Sequence, residues 1–265
     1  MSDNPFAVNT APATAECKCC SALARITGVV DFSRSCQDSQ LGRKVEPYAG
    51  RAIYYYACQA CGFVFTKAFD TWSIEDFARY IYNDKYIIHD PEYADIRPEY
   101  LAAWLDELFA SSDRRIRILD YGSGAGQLAR HLTGRGFGPV ESYDPFSSPR
   151  KPSGVFKLVT CFEVFEHAVD PRALIADILA CLDDDGAVIF STLLCSEETL
   201  ASGIANWWYC APRNGHISFY SRETLNHFAR EHGLNHAWFD ESRHVFYREK
   251  QPAYLQRLLA PPASA

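Results

Sequence analysis

The sequence predicts an α/β fold built on a mostly parallel sheet with an antiparallel edge hairpin, preceded by a small cysteine-rich module. Three observations predict it. From Ile116 onward, strand-like and helix-like segments alternate, which implies a parallel sheet covered on both faces. Residues 117–132, RILDYGSGAGQLARHL, join an apolar run to a glycine turn and then to a helical pattern. Ahead of these lie two Cys-x-x-Cys pairs, Cys17 with Cys20 and Cys58 with Cys61.

Composition bounds the function. The 265 residues, 48% of them hydrophobic, suffice for one large domain or two modest ones. A net charge of −7 offers no electrostatic footprint for wrapping a nucleic acid. No run of 18 apolar residues is present, and MSDNPFAVNTAPATAE lacks the basic start and apolar core of a secretory signal. The expectation is a cytoplasmic protein acting on a small-molecule acceptor, with no membrane and no nucleic-acid partner; the oligomeric state is not legible.

Residues 1–14 are small and polar and read as a disordered tail. Residues 15–66 form the cysteine module, with Ala52–Tyr56 and Gly62–Thr66 as strands. Each Cys-x-x-Cys turn points two sulfurs at one point, so Cys17, Cys20, Cys58 and Cys61 can surround one ion tetrahedrally. This resembles a zinc ribbon, although the 37-residue gap between the pairs is long. The resemblance implies a structural Zn2+ with no open coordination position; Cys19 and Cys36 are spare ligands. Reduced thiols packed as small apolar side chains are the alternative.

Residues 67–112 read as helical. Ser73 with Asp76 makes a capping-box-like start to a helix that packs Ile74, Phe77 and Ile81. A second helix runs from Pro98 to Phe109 with Leu101, Trp104, Leu105 and Leu108 on one face. Asp170-Pro171 opens a later helix whose stripe is Leu174, Ile175, Ile178, Leu179 and Leu182. Asp183-Asp184-Asp185-Gly186 then reads as a solvated turn into a strand at Ala187–Leu193. Ser221 caps a helix over 222–232, and strands at 236–241 and 244–248 close the sheet as a hairpin, leaving 251–265 as a terminal helix and tail.

The glycine turn selects the ligand. Counted from Gly122, a dinucleotide fingerprint places its third glycine at 127, which is Gln, and no Gly-Lys-Ser/Thr follows for a P-loop. PVESYDPF reads as a second strand ending in Asp144, 18 residues after Gly126, where a carboxylate can accept both hydroxyls of a ribose. A third buried strand, Phe156–Phe162, runs into the acidic loop FEVFEH. These three motifs, in this order, resemble the class I S-adenosylmethionine-dependent methyltransferases.

That resemblance implies a Rossmann-like sheet over 113–250, with S-adenosylmethionine (SAM) as cofactor. It assigns the turn from Gly122 through Ser123 and Gly124 to Gly126 to the methionine part, Asp144 to the ribose, and Cys161 and Phe162 to the adenosyl group, with Asp120 and Gln127 as further cofactor-binding residues. Tyr82, Tyr86 and His89 fall where the family often has a lid, and an ordinary linker is the equal alternative. Only twelve residues separate Asp144 from Lys157, so either one strand of the family's sheet is lost or an irregular loop replaces it.

Glu166, His167 and His216 are the candidate catalytic groups, since they fall at or near strand ends and a near-neutral histidine can deprotonate a hydroxyl. Glu166-His167 can equally be structural, and His216 can simply pin its loop. Trp207, Trp208 and Tyr209 could wall an aromatic or sugar-like substrate, with at least one left for packing. The expected activity is methyl transfer to a small-molecule or saccharide-like acceptor. RNA or protein methylation with the ribbon as reader, and a non-catalytic SAM-binding scaffold, are the alternatives.

Overall fold

The central strands are buried almost continuously because both faces of the sheet are covered, and this pattern organises the computed structural model, which describes residues 11–258. The chain runs through β1 (Thr14–Glu16), β2 (Leu23–Asp31), α1 (Cys36–Leu41), β3 (Ala52–Cys58), β4 (Val64–Thr66), α2 (Ile74–Tyr80) and α3 (Ile96–Leu108). It continues through β5 (Ile118–Tyr121), α4 (Gln127–Gly134), β6 (Val140–Tyr143), β7 (Phe156–Cys161), α5 (Pro171–Leu179) and β8 (Leu182–Ser191). The last elements are α6 (Glu197–Ala201), β9 (Ser218–Phe219), α7 (Arg222–Glu231), β10 (Asn235–Trp238), β11 (Arg243–Tyr247) and α8 (Ala253–Leu258).

The larger sheet has the order β10-β11-β8-β7-β5-β6. β6, β5, β7 and β8 are parallel, and β11 and β10 add the antiparallel hairpin at one edge. Ile118, Leu158, Ala187, Ile189 and Val245 face α3, α4 and α8, where Leu101, Leu105, Leu128, Leu132 and Leu255 cover them. Their neighbours Leu119, Val159, Val188, Phe190 and Phe246 face the other way, onto Ile175 and Ile178 of α5 and Leu225 and Phe228 of α7. The chain leaves β5 for β6 on one side and reaches β7 on the other, so the sheet reverses its order at β5. Ligand crevices of open α/β sheets form at such a point.

β6 is the edge of the sheet among the described residues, so the short 145–155 connection returns directly to β7 and the sheet lacks the further strand. The acidic run 183–185 is not a free turn. It lies inside β8, opposite a bulge between Phe156 and Leu158, where Lys157 pairs with both Asp183 and Asp185. Leu182 accordingly belongs to β8 and not to the α5 stripe. Ser73 and Asp76 do form a reciprocal capping box, and Asp170 caps α5 through the Ala173 N–H at 3.1 Å, but Ile74 is exposed.

The cysteine module extends beyond 15–66. Its sheet has the order β1-β2-β3-β4-β9, all antiparallel, so Ser218–Phe219 supplies its last strand from far downstream in the chain. Thr14 already belongs to β1, and residues 1–10 and 259–265 of the expected tails lie outside the described residues. Tyr56, Phe63 and Phe65 pack this sheet against α7 and the large sheet, which gives the two parts a common core.

Candidate functional site

At the C-terminal ends of β5, β6 and β7 lies a cavity of about 640 Å³, within the size range of small-molecule sites. Its floor is the glycine turn. Gly122 takes φ +77°, and a Cβ there would stand 2.3 Å from Val164 Cγ2, so only glycine lets the turn pass the loop after β7. The N–H groups of Gly122 and Ser123 both donate to Tyr143 O, at 2.8 and 3.0 Å, which fixes the turn to the end of β6. Gly124 N–H donates to Asp144 Oδ2 at 3.1 Å, while Asp144 Oδ1 accepts from the Phe146 and Ser147 N–H groups, each at 2.9 Å.

Asp120 is buried at the base of the turn. Thr160 Oγ1 donates to its Oδ1 at 3.2 Å, and its Oδ2 has no hydrogen-bond partner among the described residues. Burial pushes its carboxyl up to about 7, only partly opposed by the Thr160 hydroxyl. Gln127, the first residue of α4, donates through Nε2 to Asp95 Oδ1 at 3.0 Å and so ties the turn to the start of α3.

The opposite wall is aromatic. Tyr82 stacks at an angle on Phe146, 4.8 Å between centroids, and on Tyr86 at 5.3 Å; Tyr86 meets Tyr93 edge-on at 5.1 Å. Arg97 reaches the cavity while held by Asp90 through two bonds of 2.9 and 2.8 Å. His89, expected beside these tyrosines, does not line the cavity: it is fully buried near Glu46, and its carbonyl accepts from Asn214 Nδ2.

His167 and His216 close the far end, ring centroids 5.1 Å apart. His167 Nδ1 lies 3.0 Å from Gly215 O, and His216 Nδ1 lies 2.8 Å from Tyr209 O and 3.8 Å from Cys36 Sγ. Burial pushes the His167 imidazole down to about 4, and burial together with His167 pushes His216 well below its ordinary value. Both rings are therefore neutral near pH 7, which departs from the near-neutral histidine base expected from sequence. Glu166 is fully buried just behind them; its carboxylate accepts from Tyr209 Oη at 2.7 Å, and burial raises its pKa well above the carboxylate range.

The cavity thus brings together Asp120, Gly122, Ser123, Gly124, Gln127, Asp144, Phe162, His167 and His216. Three expected site residues stand off it. Cys161 points into the core on the face opposite Phe162, because consecutive strand residues alternate sides. Gly126 is the left-handed N-cap of α4 without lining the cavity, and Glu166 lies behind the histidines. None of Trp207, Trp208 and Tyr209 lines it either: Trp207 and Tyr209 pack with Phe219, and Trp208 is exposed. Tyr93, Arg97 and Phe146 were missed. Tyr93 and Phe146 sit outside helices and strands, and Arg97 lies in the first turn of α3, ahead of the helix start expected at Pro98, so no periodic pattern marks them.

Some distance away, the Sγ atoms of Cys17, Cys20, Cys58 and Cys61 all lie within 4.8 Å of one another, with Cys17–Cys61 at 3.6 Å and Cys20–Cys58 at 3.5 Å. Tetrahedral zinc–sulfur bonds of about 2.3 Å put neighbouring sulfurs about 3.8 Å apart, so the donor set fits one ion. Hydrogen bonding to Cys61 and burial push the Cys17 thiol up, and a cation bound among the four sulfurs would favour the thiolates instead. Cys19 and Cys36 are outside this group.

The family model for a methyltransferase domain matches residues 93–237. Among curated proteins, the ubiquinone biosynthesis O-methyltransferase of Methylococcus capsulatus is 35% identical over 87 residues, 31% of this chain; the match spans only 37% of that relative's length. Solved structures similar to this one include the 1,6-didemethyltoxoflavin-N1-methyltransferase of Burkholderia thailandensis, with 13% identity, TM-score 0.48, and coverage of 78% of this chain and 98% of that one. An amino pentose methyltransferase from Micromonospora echinaspora matches with 16% identity and TM-score 0.41 over 57% of this chain and 91% of its own.

Proposed function

This chain belongs to the methyltransferase-domain family, and from that premise we propose that it transfers the methyl group of SAM to a small-molecule or saccharide-like acceptor. One observation carries the reading: a single cavity runs from the glycine turn and Asp144 at one end to the tyrosines and the histidine pair at the other, so a nucleoside cofactor and an acceptor can share it. The residues fit such a cofactor. The turn is open only because Gly122 lacks a Cβ, and the buried Asp120 Oδ2 lacks a donor among the described residues.

When bound, SAM supplies a methyl group on a sulfonium that needs only an aligned nucleophile. Asp120 and the turn's backbone would hold the methionine end, Asp144 would accept the ribose hydroxyls, and Phe162 would flank the adenosyl group. Tyr82, Tyr86 and Tyr93 would present π faces to the acceptor and to positive charge at the transfer point. His167 and His216, oriented by backbone carbonyls, would fix the acceptor's polar end. Four sulfurs at Cys17, Cys20, Cys58 and Cys61 would hold a closed, structural zinc that takes no part in the chemistry.

The test is calorimetric titration of the zinc-quantified protein with SAM and S-adenosylhomocysteine, then a panel of alcohol, phenol and sugar acceptors scored for S-adenosylhomocysteine formation. Binding of both followed by turnover supports the reading. Folded, zinc-loaded protein that binds neither overturns it.

A further inference from the structure

The short connection between β6 and β7 turns away from the cavity as soon as it leaves Asp144. Asp144 and Ser148 exchange backbone hydrogen bonds of 3.1 and 3.0 Å, which close a tight turn, and beyond it the chain descends toward the opposite end of the sheet. Lys151 pairs with Asp177 of α5, its ammonium over the rings of Tyr121 and Tyr143. Arg117, just ahead of β5, then holds Ser153 O at 2.7 Å and Val155 O at 3.2 Å. Among the described residues, the cavity wall therefore passes from Ser147 directly to Phe162.

A ribose whose hydroxyls rest on Asp144 carries its base on the adjoining ring carbon, so the base falls among the residues beside Asp144. The polar groups there are engaged within the fold. Pro145 has no N–H, the Phe146 and Ser147 N–H groups donate to Asp144 Oδ1, and the Ser147 hydroxyl donates to Gly124 O. The Tyr121 hydroxyl is turned onto Asp177. Toward α5 the lining is apolar, through Phe162, Val164, Ala168 and Leu174. Phe146 is exposed at the rim, with Tyr82 against it at 4.8 Å, and offers ring surface to a flat base.

We propose that this site grips the ribose but leaves the amino edge of the adenine unread and open to solvent, with Phe146 as an apolar platform for the base. Cofactors altered or enlarged at that amino group then bind like the natural one. A site that hydrogen-bonds a ligand's N–H strongly rejects the analogue lacking it, because its own polar partner is left unpaired; an apolar site has no such partner to strand. The connection supplies the cause. Drawn down by Lys151 and Arg117, it hangs no carboxylate or carboxamide over the base, and it leaves no wall there. The inference rests on the SAM reading of the cavity.

The test is calorimetry on the full, zinc-quantified chain with S-adenosylhomocysteine, its 6-deamino analogue bearing purine as the base, and its N6-benzyl derivative. The expected result is binding of all three with dissociation constants within about fivefold of one another. A carboxylate or carboxamide reading the amino group would weaken the deamino analogue more than about tenfold, and a closed wall would exclude the benzyl group. A loss beyond about fivefold for either analogue overturns the proposal. In Phe146→Ala, at unchanged zinc content, all three should weaken together by about fivefold or more; affinities that stay put or diverge overturn the platform. The cofactor reading fails in a different way: folded, zinc-loaded protein then binds none of the three.

Discussion

The Gly124 N–H donates to Asp144 Oδ2 at 3.1 Å, joining the glycine turn to the carboxylate at the end of the neighbouring strand. Oδ1 is already occupied by the Phe146 and Ser147 N–H groups, so the lone pair left for a ribose hydroxyl is on Oδ2. Asp144→Ala therefore removes both the proposed ribose contact and the anchor of the 145–148 turn. A hydrogen bond to a charged group is worth about 1.5–3 kcal/mol, so S-adenosylhomocysteine should bind about 10- to 100-fold more weakly by calorimetry. Asp144→Asn should recover part of the loss, because it restores an acceptor to the turn.

Gly122→Ala should be severe and Gly134→Ala harmless. At Gly122 the φ of +77° costs an L-residue about 1–2 kcal/mol, and the 2.3 Å approach to Val164 Cγ2 adds a clash at the cavity floor. Gly134, the last residue of α4, has no heavy atom within 4 Å of the added Cβ. Urea melts should show the first variant destabilised with S-adenosylhomocysteine binding lost, and the second within about 0.5 kcal/mol of wild type or slightly stabilised.

Asp120 should make cofactor affinity pH-dependent. Its folded pKa of about 7 lies above the unfolded value, so ionising it costs stability: the contribution is full below about pH 4 and is lost as pH rises through 7. A cationic ligand reverses the preference by favouring the carboxylate, and its binding then releases a proton. Affinity for S-adenosylhomocysteine, which keeps the ammonium group, should rise with pH by up to about tenfold per unit below pH 7 and level off above it. Calorimetry from acidic to mildly alkaline pH reads this directly. Asp120→Asn should flatten that dependence, and an unchanged slope in the variant would place the titrating group elsewhere.

Features with a local chemical signature were legible in the sequence. The glycine turn, Asp144, the caps of α2, α5 and α7, and the two Cys-x-x-Cys pairs each depend on residues close together in the chain, and the structure has them in the expected places. What needed long-range pairing was not legible. Nothing around Ser218–Phe219 marks it as the last strand of a sheet begun at Thr14, because only β4, far upstream, completes its ladder. Cys161 was a misreading that strand phase could have prevented: Phe162 faces the cavity, so its immediate neighbour must face the core. The low pKa of His167 was hidden because burial by Gly215 and Tyr82 comes from two separate loops.

The shared sheet makes a prediction about zinc that a free-standing ribbon would not. Val64 and Phe65 pair with Phe219 and Ser218, Ser221 Oγ and Thr224 Oγ1 donate to Cys61 O at 2.9 and 2.7 Å, and Arg172 donates to the carbonyls of Lys18 and Cys19. Collapse of the four-sulfur group therefore pulls on the cap of α7 and on the strand that follows His216. Chelation should raise amide hydrogen exchange at 217–221 along with 15–28, and not at α4. If only a quarter of the roughly 12 kcal/mol of apparent zinc binding is lost from the fold, the thermal midpoint falls by about 6–12 °C. Protein purified without zinc, with a midpoint indifferent to added zinc, would leave the four thiols as buried apolar side chains and take the ribbon away.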